Sequence, residues 1–388
     1  MSKNSQLSTL NSQLKVLFLT PWYPHRYDAM SGLFVRKHAQ AVARQGVDVG
    51  VLYLHITDQV AKDEFVETEI DGVKELILYS NNGGFKKELS LVFKMYKYWE
   101  KKYWKPNVIH VQVLTIKWGI LASFLSLSNI PYFITEHWSG YLPENGDIQK
   151  KSIFYRLIMK YIAYNAKLIM PVSNHLMAAM QNLGIRAKFM KLNNVVDDFF
   201  YDKCISKEMR TKKRILHVSC FSDHVKNIKG QLRVVKKISK IRRDFEYVIV
   251  GTGIDFDECV NYAWELGLSS DIVKFVGEQT PLQVYNWMVN SDFFVLFSNY
   301  ENAPVVISEA LAVGLPIVSS NVGGISEMIN EEIGFLIDRK DEKALKEKIL
   351  YLLDNFQKYD IEKIRNNGLK YSFDRVGHQL VEIYRSQL

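Results

Sequence analysis

Residues 298–329 constrain the fold of this chain more than any other part of its sequence. A buried apolar run, 293–297, comes directly before them, and a second run, 316–320, lies within them. Between the two runs we predict a helix from Pro304 to about Val313, because proline fits the first helical position. Strand, loop, helix and strand in this order are typical of one half of a nucleotide-binding α/β sheet.

Two glutamates accompany the predicted start of this helix. Glu301 lies in the loop after the first run, and Glu309 lies within the helix. The helix begins at Pro304 and Val305, and its free N–H groups point back towards that loop. Such an end favours an anion, typically a phosphate. Two solvated carboxylates on an ordinary surface helix would fit the same spacing, so the glutamates alone leave both interpretations open.

The longer pattern resembles a known family. The spacing Glu301-x7-Glu309, followed by GLPIVSSNVGGISEMI, resembles the retaining glycosyltransferases of family 4, strongly from Val248 to Asp338 and more loosely before residue 200. The resemblance implies an α/β protein of the GT-B fold, in which two Rossmann-like domains face a central cleft. It also implies that Glu301 contacts the transferred sugar and that Glu309 binds the ribose hydroxyls of the nucleotide.

The chain of 388 residues is long enough for two domains. We place an N-terminal, acceptor-side domain at 1–200 and a C-terminal domain that binds the nucleotide sugar at 201–372. The last amphipathic helix, 373–388, resembles the terminal helix that returns to the first domain in this family. The charged stretch between about Phe199 and Lys213 is the predicted linker.

Composition limits the cellular location and the partners. The cysteines are three, odd in number and widely spaced, which indicates neither a disulfide framework nor a zinc site and favours a reducing cytoplasm: Cys204, Cys220 and Cys259. The polar N-terminus lacks the apolar core of a secretory signal, and no run of about 18 apolar residues spans a bilayer. We therefore expect a cytoplasmic protein, either free or peripheral on the inner face of the plasma membrane.

The net charge of +8 is compatible with nucleic acid, an anionic membrane or an anionic substrate. Neither zinc-finger spacing nor an RNA-binding aromatic motif accompanies this charge, so we do not expect nucleic acid as a partner. Residues 85–105 combine aromatic and apolar side chains with seven lysines. Such a helix fits an anionic membrane surface, where each lysine contributes about 1 kcal/mol, but it also fits a helix packed on the sheet with its lysines in water.

Two candidate site residues lie in the N-terminal half. Gly32 stands at the start of a predicted helix after the first strand, 15–20, where a glycine lets a backbone approach a ligand closely. His137 follows the buried strand 131–136, and open α/β sheets bind ligands at the ends of such strands. The resemblance implies that Gly32 faces the donor diphosphate and that His137 lies beside the transferred sugar.

Three more candidates lie in the C-terminal half. Lys226 and Lys229 follow the strand 214–220 in a predicted loop, and the resemblance implies that one of them binds the diphosphate. Many relatives have Gly-Arg where this chain has Ser219-Cys220, and that arginine binds the diphosphate; two lysines can supply its charge but not its bidentate geometry. Gly251, in a Gly-Thr-Gly turn after the next strand, is the third candidate for nucleotide binding.

These residues predict a transferase without a cofactor. A helix N-terminus and one or two lysines can stabilise a departing diphosphate without a metal ion. The one Asp-x-Asp sequence, 255–257, lies in a predicted helix, so we predict no metal site. The expected donor is a nucleotide sugar carrying a hexose or N-acetylhexosamine, with UDP favoured over GDP, and the resemblance implies retention.

The expected acceptor is a lipid-linked glycan in surface-polysaccharide biosynthesis. The basic aromatic segment 85–105 is the support for the lipid part. A small soluble acceptor and a non-catalytic nucleotide-binding module of the same fold are the alternatives.

Overall fold

The computed structural model describes residues 13–81, 83–202 and 209–388. These residues form two compact units. Unit 1 contains the described residues up to Val172, with Leu176–Val195 and Phe373–Leu388, and unit 2 contains Ser173–His175 and Val196–Ser372. The predicted linker lies partly outside the described residues, and Cys204 lies outside them.

Unit 1 is built on a seven-stranded sheet. Its strands are β1 (Lys15–Thr20), β2 (Asp48–Ile56), β3 (Glu64–Ile70), β4 (Val73–Ser80), β5 (Val108–Gln112), β6 (Tyr132–Glu136) and β7 (Leu168–Pro171). The helices between them are α1 (Leu33–Ala43), α2 (Phe85–Lys102), α3 (Ile116–Ser126) and α4 (Ile153–Asn165), and α5 (Asn174–Asn182) follows β7.

The strand order of this sheet is β3-β4-β2-β1-β5-β6-β7, and β3 alone runs antiparallel, paired with β4 as an edge hairpin. The other strands are parallel because helical crossovers join most of them. The order reverses between β1 and β5, which brings the loops after these two strands together at the carboxyl edge.

Unit 2 is built on a six-stranded parallel sheet. Its elements are β8 (Lys213–Val218), α6 (Asp223–Lys226), α7 (Ile228–Ser239), β9 (Phe245–Val250), α8 (Phe256–Glu265), β10 (Val273–Gly277), α9 (Pro281–Val289), β11 (Phe293–Leu296), α10 (Val305–Val313), β12 (Ile317–Ser320), β13 (Gly334–Ile337), α11 (Glu342–Asn355) and α12 (Ile361–Gly368). The strand order is β10-β9-β8-β11-β12-β13, which reverses between β8 and β11. The chain ends in α13 (Phe373–Arg385), which belongs to unit 1.

Both sheets are covered on their two faces, and this explains the continuous apolar strands of the sequence. β11 is buried throughout, as are β5, β6, β9 and β12. Strands of a two-layered, half-exposed sheet would alternate between apolar and polar residues instead.

One buried carboxylate ties the loop after β1 to the sheet. Glu75 of β4 accepts hydrogen bonds from the Tyr23 hydroxyl at 2.6 Å and from Arg36 Nε at 2.8 Å. Thr68 donates to the second carboxylate oxygen at 2.8 Å. These bonds satisfy the buried charge and hold the segment from Tyr23 to Arg36, which contains Gly32, in one position.

The predicted helix 85–105 is α2, and it uses its aromatic face for packing. Five of its side chains are buried against unit 1: Leu91, Val92, Met95, Tyr96 and Trp99. Two of its lysines, Lys94 and Lys102, form ion pairs with acidic residues of the β3 hairpin. The aromatic face therefore cannot also enter a membrane, whereas contact of the remaining lysines with an anionic membrane stays a prediction.

The C-terminal helix α13 packs closely on α1. A β-carbon placed on Gly377 would lie 2.1 Å from the carbonyl oxygen of Ala41, so only glycine permits this approach of the two helices. We expect Gly377→Val to destabilise the protein by about 1–3 kcal/mol or more, because the added methyl groups separate the helices. Urea unfolding followed by circular dichroism measures this change.

His378→Val, on the exposed side of the same helix, is the matched control. It carries the same valine without the contact, so equal effects of the two substitutions would contradict the close packing of α13 on α1.

Candidate active site

The carboxyl edge of unit 2 brings the predicted C-terminal site residues together where the strand order reverses. The loop after β8 leads to Lys226, and the loop after β11 carries Glu301. Lys226 Nζ lies 2.6 Å from Glu301 Oε1, and the hydroxyl of Ser298 donates to the same oxygen at 2.7 Å. Both members of this ion pair are largely buried, with side-chain exposures of 13% and 9%.

The ion pair keeps Lys226 charged in a poorly hydrated place. Burial acts to lower the pKa of Lys226, but the neighbouring Glu301 carboxylate outweighs it and raises the pKa above its usual value. A buried pair of this kind is destabilising to break, because removing one partner leaves the other charge uncompensated.

The two candidate lysines have different surroundings. Both were predicted to lie in a loop, and this was wrong: Lys226 ends α6 and Lys229 lies in the first turn of α7. Lys229 pairs with Glu258, an exposed carboxylate on α8. Of the two lysines, Lys226 therefore lies beside Glu301 and Lys229 does not. The sequence alone did not distinguish them.

Helix α10 begins one residue later than predicted. Pro304 is its N-cap, with φ −66° and ψ 119°, and Val305 is the first helical residue. The helix still starts directly after the Glu301 loop, so its N-terminal N–H groups lie at the same edge as the ion pair. Glu309 lies within α10 and is 9% exposed, and its charge acts on the nearby phenol of Tyr201.

A glycine pair supports the Glu301 loop from the next strand. Gly323 has φ +55°, and a β-carbon on it would lie 1.7 Å from the carbonyl oxygen of Glu301. The N–H of Gly324 donates to the carbonyl of Asn302 at 2.9 Å. The Gly-Gly turn after β12 thus positions the Glu301 loop through backbone contact, a role that the sequence alone did not reveal.

Gly251 and Cys220 lie at the same edge of unit 2. Gly251 follows β9, and its N–H donates to Gly277 O at 2.8 Å. Cys220 follows β8, is exposed and lies near Lys226. The thiol therefore occupies the place near the lysine where the resemblance would put an arginine.

In unit 1, Gly32 is the N-cap of α1 with φ +59°. A β-carbon on Gly32 would lie 2.4 Å from the backbone of Trp22, so the turn after β1 depends on this glycine. The residue precedes the free N–H groups of α1 at the carboxyl edge of the sheet, as predicted from the sequence.

His137 lies at the end of β6 and begins a chain of side-chain hydrogen bonds. Its Nε2 lies 2.9 Å from Oε1 of Gln112, which can only accept, so Nε2 carries the proton. The Gln112 amide then donates to His110 Nε2 at 3.4 Å, and His110 Nδ1 bonds the hydroxyl of Tyr384 on α13. Gln112 is thus a positioning residue for His137.

Three neighbouring histidines are held neutral. Burial lowers the pKa of His38 to about 4 and lowers the pKa of His110 and His137 well below its usual value, with His38 adding to both shifts. The ring of Phe34 lies 4.3 Å from that of His137 and excludes water on one side. Because its Nε2–H is donated to Gln112, a neutral His137 can accept a hydrogen bond at Nδ1, and it carries no charge towards a ligand.

Glu136 lies directly before His137 and is fully buried. Its carboxylate accepts from the N–H groups of His137, Trp138 and Leu114 at 2.9, 2.8 and 3.1 Å. Burial raises the pKa of Glu136 to about 7, although these three bonds act in the opposite direction. The bonds fix the backbone that carries His137.

The described residues contain no group of three or more side chains suited to hold a metal ion. The sequence Asp255-Phe256-Asp257 starts α8: Asp255 is the N-cap, and its carboxylate accepts from the N–H of Asp223 at 2.7 Å. Throughout the residues that the structure describes, no helix has both the length and the hydrophobicity needed to cross a membrane.

Sequence profiles match both halves of the chain. The profile of Glycosyltransferase Family 4 matches residues 32–198, and that of Glycosyl transferases group 1 matches residues 202–370. Together they span most of the sequence and confirm the resemblance found in residues 298–329. The chain belongs to the group 1, family 4 glycosyltransferases, which have the GT-B fold.

Curated relatives share this chain over different lengths. Two uncharacterized glycosyltransferases of Methanocaldococcus jannaschii are 29% and 28% identical over 45% and 58% of this chain, which spans 45% and 60% of their own length. The putative teichuronic acid biosynthesis glycosyltransferase TuaC of Bacillus subtilis is 23% identical over 87% of this chain and 88% of its own.

Solved structures show the same fold. Sucrose-phosphate synthase from Thermosynechococcus elongatus has a TM-score of 0.76 at 17% identity, covering 97% of this chain and 99% of its own. Anabaena HepE in complex with UDP has a TM-score of 0.71 at 18% identity, covering 96% and 100%.

The neutral histidines predict a pH-dependent stability of unit 1. The unfolded chain binds a proton at His38 near its ordinary pKa of 6.5, whereas the folded chain does so only near pH 4. Stability from this residue is therefore present above about pH 6.5 and is lost towards pH 4, by about 1.4 kcal/mol per pH unit. Glu136 acts oppositely, because its raised pKa lets the folded chain keep a proton that the unfolded chain releases.

His38→Gln isolates the first contribution, because Glu136 is unchanged. We expect the variant to lose less stability than the wild type between about pH 7 and about pH 5, measured by urea unfolding. His378→Gln, on the exposed side of α13, is the control. Parallel curves for wild type and His38→Gln would refute the assignment of a depressed pKa to His38.

Proposed function

We propose that the protein is a retaining glycosyltransferase that moves a hexose or N-acetylhexosamine from a nucleotide sugar to a glycan hydroxyl in polysaccharide biosynthesis. The observation that carries this proposal is the buried Lys226–Glu301 ion pair, which lies where the strand order of unit 2 reverses and where α10 begins. Open α/β sheets bind nucleotides at this position.

Different residues of unit 2 bind different parts of the nucleotide-sugar donor. Glu301 contacts the transferred sugar and stabilises the positive charge that develops on it. Lys226, with its Nζ 2.6 Å from Glu301, is within reach of the diphosphate that leaves this sugar. Pro304 caps α10, the backbone N–H of Val305 donates to a phosphate oxygen, Gly251 lets the backbone approach the nucleotide, and Glu309 holds the ribose hydroxyls.

Two residues of unit 1 also have a proposed role in substrate binding. Neutral His137, oriented by Gln112, forms a hydrogen bond with the transferred sugar, and Gly32 faces the diphosphate. The acceptor oxygen bonds the anomeric carbon on the side from which the diphosphate departs, and its proton passes to the departing phosphate. Net retention follows from this geometry.

The reaction needs no metal ion in this proposal, because lysine and helix N–H groups stabilise the departing charge. Asp255 is the N-cap of α8 and bonds the backbone N–H of Asp223, and Asp257 lies in the first turn of the same helix, so we assign both a structural role. UDP is the favoured nucleotide of the donor, with GDP as the alternative. The solved HepE structure contains UDP. The acceptor is a lipid-linked glycan at the cytoplasmic face of the membrane.

A comparison of the two lysines tests the diphosphate assignment. We expect Lys226→Ala to lower kcat/KM by about 100-fold or more, because it removes a fixed charge from a dry site. Lys229→Ala, which breaks the exposed pair with Glu258, is the matched control and should change kcat/KM by less than about threefold. Donor turnover in the presence of acceptor measures both, and equal losses would reject the assignment to Lys226.

Thermal unfolding with nucleotides tests the ribose assignment and the donor base. Wild type and Glu309→Ala are compared with UDP, GDP, CMP and TDP, each with and without EDTA. A nucleotide at 100 times its dissociation constant stabilises the wild type by about 2.7 kcal/mol, which raises Tm by a few degrees. We expect UDP to do so in EDTA and Glu309→Ala to lose the response.

If no nucleotide stabilises the wild type, the proposed site around Glu309 is wrong. A response that requires a metal ion would instead reject metal independence. Glu332→Ala, in an exposed turn of the same unit, is the control for a general effect of removing a carboxylate.

A further inference from the structure

Helix α4 of unit 1 exposes most of its large apolar side chains. The stripe of exposed residues, called here the α4 stripe, has exposed fractions between 40% and 78% and consists of Ile153, Phe154, Leu157, Ile158, Tyr161 and Tyr164. The opposite side of the helix buries Met159, Ile162 and Ala163. Single exposed apolar residues are ordinary on protein surfaces, but six on one helix mark an interaction site.

The neighbouring helix α3 packs on the buried side of α4. A β-carbon placed on Gly119 of α3 would lie 2.7 Å from the side chain of Ile162. Phe124, which is 54% exposed, contacts Phe93 of α2 instead, with ring centroids 5.4 Å apart. The exposed apolar stripe therefore belongs to α4.

The charge along the α4 stripe is mainly positive, although Lys150 pairs with Asp147 at 2.9 Å. Residues 150–167 contain five basic residues and no acidic one: Lys150, Lys151, Arg156, Lys160 and Lys167. Two copies of this chain joined through the same face would bring these charges together, which opposes a dimer. An apolar helix face with basic flanks complements the surface of a bilayer that contains anionic lipids.

A cavity of about 260 Å³ lies beside the stripe, and Ile153 and Leu157 belong to both. Tyr141, Arg156 and Lys160 also line it. Tyr141 is 2% exposed, and among the described residues neither its hydroxyl nor Arg156 Nε has a hydrogen-bond partner. Buried donors without a partner are rare, so these groups and the Lys160 ammonium indicate an anionic ligand such as a phosphate.

The cavity is close to the proposed sugar contact. Tyr141 belongs to the segment that begins at His137, and its ring contacts that of Trp138 with centroids 5.2 Å apart. A lipid phosphate bound in the cavity would therefore lie next to the segment that positions His137.

We propose that the α4 stripe and its cavity bind an anionic lipid bilayer: the stripe enters the interfacial region, and Tyr141, Arg156 and Lys160 hold a lipid phosphate. This inference extends the proposed membrane location of the transferase, but lipid binding itself needs no substrate. It places the membrane contact on α4, in contrast to the lysines of α2.

Flotation with vesicles tests this site. Phosphatidylcholine vesicles with and without phosphatidylglycerol are compared for the wild type, Phe154→Ser/Tyr161→Ser and Arg156→Gln/Lys160→Gln. We expect the wild type to float with the anionic vesicles and each double variant to bind them at least about tenfold more weakly. Both substitutions of the first variant are on exposed side chains, so the fold is expected to persist.

Matched controls separate this site from nonspecific binding. Ile254→Ser/Trp264→Ser removes exposed apolar side chains of unit 2, and Lys97→Gln/Lys101→Gln removes exposed lysines of α2. Both control variants should float as the wild type does. Thermal stabilisation by UDP is measured for all variants and should be unchanged, which separates failure of this inference from failure of the proposed transferase.

Three results would overturn the proposal. The first is that the wild type fails to float with anionic vesicles. The second is that the α2 variant loses binding while the α4 variants keep it. The third is that the wild type is dimeric without lipid and that Phe154→Ser/Tyr161→Ser makes it monomeric. The last result would assign the stripe to contact between copies of the chain.

Discussion

The chemistry of this protein depends on a property of parallel sheets that are covered on both faces. Most side chains within such a sheet are apolar, and the groups that can reach a ligand lie at its carboxyl edge. In unit 2 this edge holds Lys226, at the end of α6 after β8, and Glu301, in the loop after β11. These two strands are neighbours because the strand order reverses there. In unit 1 it holds Gly32 after β1 and His137 after β6. Both units therefore present their candidate residues on rigid ends of buried strands.

Burial acts to lower the pKa of both the lysine and the histidines at these edges, but the outcomes differ. The Lys226 ammonium remains charged because Glu301 lies 2.6 Å away, whereas burial prevails at the histidines of unit 1 and their pKa values fall. A charged pair suits the stabilisation of a departing diphosphate, and a neutral imidazole suits hydrogen bonding to a sugar hydroxyl. Each group also needs support from residues that touch no proposed substrate, such as Gln112 and Gly323.

Much of the fold could be predicted from local patterns. The bounds of β1 and the first residue of α13 agree with the sequence prediction, because the apolar run and the helical periodicity are strong in these segments. The spacing of Glu301 and Glu309, together with the residues that follow it, was sufficient to identify the family. The short helix α6 was missed, since four residues carry no periodic signal, and Lys226 and Lys229 were therefore placed in a loop.

The sequence by itself determined which segments form strands and helices and where the strand ends carry polar residues, because these depend on neighbours within a few residues. Only the tertiary structure decided that Lys226 pairs with Glu301, 75 residues away, and that Gln112 orients His137. It also decided the burial of two similar amphipathic, basic helices. Most apolar side chains of α2 are buried, whereas six large apolar side chains of α4 are exposed. Periodicity shows that a helix has an apolar face, but the packing of distant segments determines what covers it.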